Sequence, residues 1–267
     1  MASSADSHAG LPAYAELHCI SNYSFLRGAS HPAELVAQAA ALGYTALALT
    51  DECSVAGIVR AHVAARKHAI QLIIGSELRL ADGLHLVLLA ADREDYAALC
   101  ALITRGRRAA VKGSYHLLRA DLEALGAACL VLWMPSEDPQ LADALWLQQH
   151  FAGRAWLAVE LHADGDDHRR VRQLTQLAAA AGMPAVAAGD VHMHVRGRRA
   201  LQDTLTAIRV RQPLGSGSHI LYPNGERHLR SRAALARIYP AELLANTLEV
   251  ARRCSFSLDE LHYQYPQ

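Results

Sequence analysis

A chain of 267 residues that is 52% hydrophobic and 19% charged can bury one large α/β domain or two modest ones, and it is too apolar to remain disordered. Its 26 basic and 26 acidic side chains cancel, which excludes a global field for nucleic acid or membrane and leaves only local patches. Five scattered cysteines without a Cys-x-x-Cys pair exclude a disulfide framework or zinc knuckle and read as the reduced thiols of a cytoplasmic protein.

Residues 1–12 read as a flexible tail, with neither the basic nor the apolar region of a signal peptide. No apolar run approaches the roughly 20 residues of a membrane span. From Tyr14 onward, apolar runs at residues 14–19, 45–50, 71–80, 84–90, 128–133, 155–161 and 184–189 predict strands. Amphipathic stretches between them predict helices. In residues 31–43, Leu35, Ala39 and Leu42 share one face and Gly43 ends the run. Residues 168–182 repeat the design with Val171, Leu174 and Leu177 inward, and Asp82-Gly83 between two alternating runs predicts a tight hairpin.

Past residue 200 the texture changes. A helix in residues 201–215 runs into a Pro/Gly break, and 216–231 reads as loop with one strand-like stretch. Residues 240–254 predict a further helix, Pro240 at its start and Leu243, Leu244, Leu248 and Val250 among its apolar positions. The end shows no capped element and reads like a domain border. These shifts divide the chain into a tail (1–12), a main domain (13–212), and a linker opening a further module (213–267).

Strands separated mainly by helices predict a (β/α) barrel or a doubly wound sheet. The barrel is favoured because polar residues recur just after the strands: His18, Asp51-Glu52, Glu77, and Asp190 with His192. Barrels carry their reactive groups on that rim, whereas a doubly wound sheet gathers them at one switch point. Carboxylates and imidazoles so placed can converge on divalent cations, which lower the pKa of bound water and neutralise a phosphoester. Any one of them alone, Asp51 for instance, is more readily a helix N-cap. Asp164-x-Asp166 has the look of a two-metal pair, but it sits in a turn before a helix, where capping accounts for it. Residues 215–218 lack the lysine of a phosphate loop and read as a flexible connection. Basic clusters at 105–112, 196–199, 209–211 and 226–232 could touch phosphates, yet the zero net charge and the lack of interleaved aromatics favour solvated faces over a free-standing DNA-binding module.

Five segments then match one family in order and spacing: residues 16–62, 73–80, 85–100, 187–209 and 239–261. Over them the chain resembles the N-terminal PHP (polymerase and histidinol phosphatase) domain of bacterial C-family DNA polymerases, most closely the error-prone members used in damage-induced mutagenesis. The resemblance implies a PHP-type distorted (β/α)7 barrel, followed by a short helical segment leading to a polymerase module. It implies a parent enzyme that extends a primer across lesions with Mg²⁺ held by carboxylates beyond this chain. It also implies DNA primer–template, the sliding clamp and accessory mutagenesis proteins as partners of that parent.

The family's metal motifs are kept only in part. His18 matches the leading histidine of the first motif, but the second is Ile20, and Arg27 stands where an aspartate is usual. Thr50-Asp51-Glu52 replaces Thr-Asp-His, and Met134-Pro135 lies where a Cys or His ligand belongs. The candidate metal ligands are therefore His18, Glu77, His85, Asp190 and His192, with Glu52 as a further one, in a degenerate site. Ile20 offers no lone pair, and the fixed cation of Arg27 takes a dication's place, where it can pair with Glu77 or Asp190. The expectation is a structural remnant with no catalytic residue of its own. A second reading keeps one residual Zn, Mn or Mg ion at Glu77, His85, Asp190 and His192, and a third is an active metal-dependent phosphoesterase that proofreads 3′ ends or cleaves a small phosphate ester.

Overall fold

The computed structural model describes residues 10–215 and 220–262. The expected tail up to residue 9, most of the Gly-Ser connection at 215–218, and the last five residues lie outside the described residues. Seven strands form one sheet in the order of the chain. They are β1 (Ala15–Glu16), β2 (Ala46–Leu49), β3 (Gln71–Arg79), β4 (His85–Leu89), β5 (Leu130–Trp133), β6 (Ala155–Glu160) and β7 (Ala185–Ala188). Each falls inside one of the apolar runs read from the sequence. The helices between and after them are α1 (Pro32–Ala41), α2 (Ile58–His68), α3 (Arg93–Arg108), α4 (Arg119–Glu123), α5 (Leu141–His150), α6 (Asp167–Ala181), α7 (Arg199–Val210), α8 (Arg232–Ile238) and α9 (Ala241–Arg253).

Neighbouring strands are parallel except β4, which is antiparallel to both β3 and β5. The cause is local: Asp82-Gly83 turns the chain straight back, Gly83 at φ 93° supplying the left-handed step a side chain resists. The seam is closed beyond β1 and β7, where Cys19 bridges Val191. There the Ile20 N–H donates to the Val191 carbonyl (2.9 Å) and the Val191 N–H donates to that of His18 (3.0 Å). The sheet is thus an almost closed seven-stranded barrel.

Period-two alternation sorts each strand into an inner and an outer set. Ala46, Ala48, Ile73, Val87, Leu89, Leu130, Leu132, Trp156, Ala158, Val186 and Ala188 fill the interior. The opposite positions pack under the helices together with Leu35, Leu99, Leu147 and Leu174. Each fully buried Leu, Ile or Val contributes roughly 1.5–3 kcal/mol. The base of the barrel is stoppered by α9. Its Val250 and Ala251, with Cys254 just beyond, join the interior cluster. Thr247 Oγ1 accepts from the Ala15 N–H (3.1 Å), and the Asn246 amide donates to the Ala185 carbonyl (2.8 Å). The opposite end of the barrel, its mouth, carries an open cleft, lined by Arg27, His85, Glu160 and Asp190 among others.

Candidate functional site

The same alternation that fills the interior decides what faces the mouth. Two residues beyond Ile73-x-Gly75 stands Glu77, and two beyond Trp156-x-Ala158 stands Glu160. Two beyond Val186-x-Ala188 stands Asp190. Because β4 runs the other way, its first residue, His85, rather than its last, reaches this rim.

His18 is the hub. Its imidazole is fully buried, with Nδ1 at 2.6 Å from Glu160 Oε1 and Nε2 at 3.3 Å from Glu77 Oε2. Burial alone would lower its pKa, but the two carboxylates outweigh that and raise it to about 9, so both nitrogens carry protons at neutral pH. Glu160 responds reciprocally: burial pushes its carboxyl up, His18 pulls it further down, and the result is about 2. Glu77 accepts from Arg27 (2.9 Å) and His85 Nε2 (2.7 Å) through Oε1. Those contacts with His18 hold its carboxyl well below the usual range despite burial.

Arg27 occupies the middle of the mouth. One nitrogen of its guanidinium lies 2.9 Å from Glu77 and 2.7 Å from Glu52 Oε2. Glu52 is steadied from the other side by the Tyr115 hydroxyl (3.1 Å). Asp190, the other partner expected for Arg27, instead pairs with Arg227 and accepts from His192 Nε2 (2.8 Å). Arg227 lies over the Tyr222 ring at 4.2 Å, and burial lowers its pKa to about 10. His192 is fully buried, which lowers its pKa to about 3, and its Nδ1 has no hydrogen-bond partner among the described residues. Ile20 and Met134 are buried apolar groups at two of the positions where the motifs lack a ligand. Among the described residues, no group of three or more His, Cys, Asp or Glu side chains is arranged to hold a metal ion.

All six candidate residues therefore meet at one mouth, but as a chain of ion pairs and hydrogen bonds around Arg27, His18 and Arg227. The mouth opens into a cleft of about 1100 Å³ whose wall includes Arg79, Trp133, His162 and Arg170. Two members escaped the sequence reading. Glu160 had a usable signal, since period two aims it inward. Arg227 comes from an irregular segment with no periodicity to aim it.

Asp51 is not a helix cap. The N-cap of α2 is Gly57. The buried Asp51 carboxylate instead ties down the turn that carries Arg27, accepting from the Ser21 N–H (2.7 Å) and hydroxyl (2.8 Å) and from the Ser24 N–H (3.1 Å) and hydroxyl (2.8 Å). Asp166 occupies the N-cap position of α6, yet its side chain makes no capping bond and pairs with Arg169 (2.6 Å). In the basic cluster at 105–112, Arg107 is committed internally, donating to the carbonyls of Cys53 (3.1 Å) and Glu52 (3.1 Å).

The model of the PHP domain family matches residues 16–166, more than half of the chain. Error-prone DNA polymerases are similar over nearly its whole length: 57% identical in Dechloromonas aromatica, over 96% of this chain and 26% of that protein, and 58% identical in Pseudomonas aeruginosa, over 96% and 25%. The chain thus spans about a quarter of the length of the curated relatives it matches. Among solved structures, a Bifidobacterium adolescentis protein assigned as a metal-dependent phosphoesterase aligns at TM-score 0.51 and 17% identity, over 68% of this chain and 89% of its own. A Chromobacterium violaceum amidohydrolase, with bound sulfate and no metal, aligns at 0.52 and 18%, over 68% and 88%. At such identities these two speak for the barrel alone. On the family match, the strand order and the collinear relatives, this chain belongs to the PHP domain family.

Proposed function

We propose that this chain is the N-terminal PHP module of an error-prone DNA polymerase that acts in translesion synthesis and damage-induced mutagenesis, and that its barrel mouth is a structural remnant of a hydrolase rim. The observation that carries the first half is the collinear identity of 57–58% over 96% of the chain. On this reading the parent performs nucleotidyl transfer with Mg²⁺ held outside these residues, binds primer–template DNA, and meets the sliding clamp and accessory mutagenesis proteins in the cytoplasm. Five unpaired thiols, four of them buried, agree with that compartment.

The second half rests on a poor fit between the mouth and a metal centre. A ligand histidine must offer a lone pair, whereas both nitrogens of His18 face carboxylates. Glu52 and Glu77 already share a permanent cation. The work of these residues is then mechanical: they tie the ends of β1, β3, β6 and β7 together and give the polymerase module a rigid base. A second reading, one residual divalent cation, draws on the Nδ1 of His192, which has no partner among the described residues.

The test uses the full-length protein. Primer extension past an abasic template site is expected to survive Asp190→Ala and His192→Ala, with no release of nucleotides or phosphate from DNA 3′ ends by the parent. Hydrolysis of 3′ ends that Asp190→Ala abolishes would establish the phosphoesterase reading instead.

A further inference from the structure

We propose that the Arg27 guanidinium is the resident cation of the barrel mouth and keeps a divalent ion off the Glu52 and Glu77 carboxylates, so that its removal leaves a hard-cation site formed by those two side chains. The inference rests on the metal-free reading of the mouth and adds what enforces it.

A single nitrogen of Arg27 sits 2.7 Å from Glu52 Oε2 and 2.9 Å from Glu77 Oε1. The two oxygens thus converge on one point from β3 and from the segment after β2. A small divalent ion at that point needs oxygens at about 2.1 Å, so each carboxylate oxygen would close inward by roughly 0.6–0.8 Å, within the reach of a side-chain torsion. Both carboxylates are already aimed. The His85 Nε2–H (2.7 Å) and His18 Nε2–H (3.3 Å) orient Glu77, and the Tyr115 hydroxyl (3.1 Å) orients Glu52. These donors remain when Arg27 is cut back. His85 meets Glu77 through Nε2 (2.7 Å) and has Arg79 3.3 Å from its Nδ1, so both of its ring nitrogens already have partners. The Glu52 side chain is 32% exposed, so water can complete the shell. Two carboxylates and water select Mn²⁺ or Mg²⁺ over softer ions.

The turn that carries residue 27 does not depend on the guanidinium. Asp51 holds it through Ser21 and Ser24, and the Gln202 amide donates to the Arg27 carbonyl (2.7 Å). Truncation therefore leaves two facing carboxylates with no cation between them, in a scaffold that keeps its shape.

The test compares the wild-type 267-residue chain with Arg27→Ala, with Arg27→Met, which retains the aliphatic packing, and with Arg27→Ala/Glu77→Gln. Bound manganese is measured after desalting, and the unfolding midpoint is followed with EDTA and with Mn²⁺. Both single variants are expected to melt below wild type in EDTA, to take up one Mn²⁺ per chain, and to gain roughly 5–10 °C at a hundredfold excess over Kd. The double variant is expected to show neither effect, and wild type to ignore both additions. Single variants that take up no Mn²⁺, or that stay unfolded with Mn²⁺ as well as without it, overturn the inference and leave the metal-free reading intact. Stoichiometric Mn²⁺ in the wild-type chain overturns that reading itself.

Discussion

Asp51→Ala is predicted to be among the most destabilising single changes at the mouth, and the reason can be worked out bond by bond. Oδ1 accepts from the Ser21 N–H, the Ser24 N–H and the Ser24 hydroxyl, and Oδ2 accepts from the Ser21 hydroxyl. The Ser24 N–H has a second acceptor in the Ser21 carbonyl (2.9 Å), and the hydroxyls can rotate. The Ser21 N–H has no such alternative in the turn, and Ser21 and Ser24 are both buried. An orphaned buried donor costs about 1–3 kcal/mol, and the loss of two or three bonds to a carboxylate adds about 1 kcal/mol or more each. The expected total is about 3–5 kcal/mol in urea unfolding. Asp51→Asn keeps one oxygen for the three Oδ1 bonds and turns its amide to the Ser21 hydroxyl, which can accept. Because burial already pushes the Asp51 pKa above its ordinary value, loss of the charge itself is cheap, and Asn is expected to cost about 1–2 kcal/mol. An Ala variant within about 1 kcal/mol of wild type, or an Asn variant as damaged as Ala, would refute this account of the turn.

Stability is expected to depend on pH through the His18 and Glu160 pair. With its pKa raised to about 9 in the fold, His18 contributes stability that is fully present below its ordinary value near 6.5 and is lost as pH rises through 9, by about 3 kcal/mol at most. Glu160, held at about 2, adds stability that is present above pH 4–5 and fades as pH falls through 2. Urea titrations from pH 6.5 to 9.5 check the alkaline limb, and His18→Gln should flatten it; an equal slope in the variant would assign the dependence to other groups. Gly28→Ala should prevent the turn from closing, because an added Cβ would lie 2.0 Å from the Ser21 carbonyl oxygen, a backbone atom that cannot step aside. The expected loss is about 3 kcal/mol or more, and circular dichroism melts matching wild type would contradict it.

The barrel can be read from the sequence because each strand is a short apolar run bounded by helix or turn signals, and Asp82-Gly83 announces the one reversal. Most of the mouth is readable for the same reason: period two carries Glu77, Glu160 and Asp190 inward once the strands are placed. The partners of those residues are not readable. Asp51 looks like a cap because its local context is a loop before a helix, whereas its bonds run to Ser21 and Ser24, 30 and 27 positions away. Arg227 and Tyr222 lie in an irregular segment, and only the closed barrel brings them over Asp190 and His192. The amphipathic face of residues 240–254 is plain in the sequence. That it seals the barrel base against β1 and β7 follows from tertiary packing alone.

The central claim, that charge pairing and not metal holds this mouth together, is tested most directly by elemental analysis of the wild-type chain purified without chelator, paired with its unfolding midpoint before and after EDTA. Substoichiometric zinc, manganese and magnesium with an unmoved midpoint is the predicted result. One or more equivalents of a divalent metal, with a midpoint that falls in EDTA and is restored by adding the metal back, would contradict it.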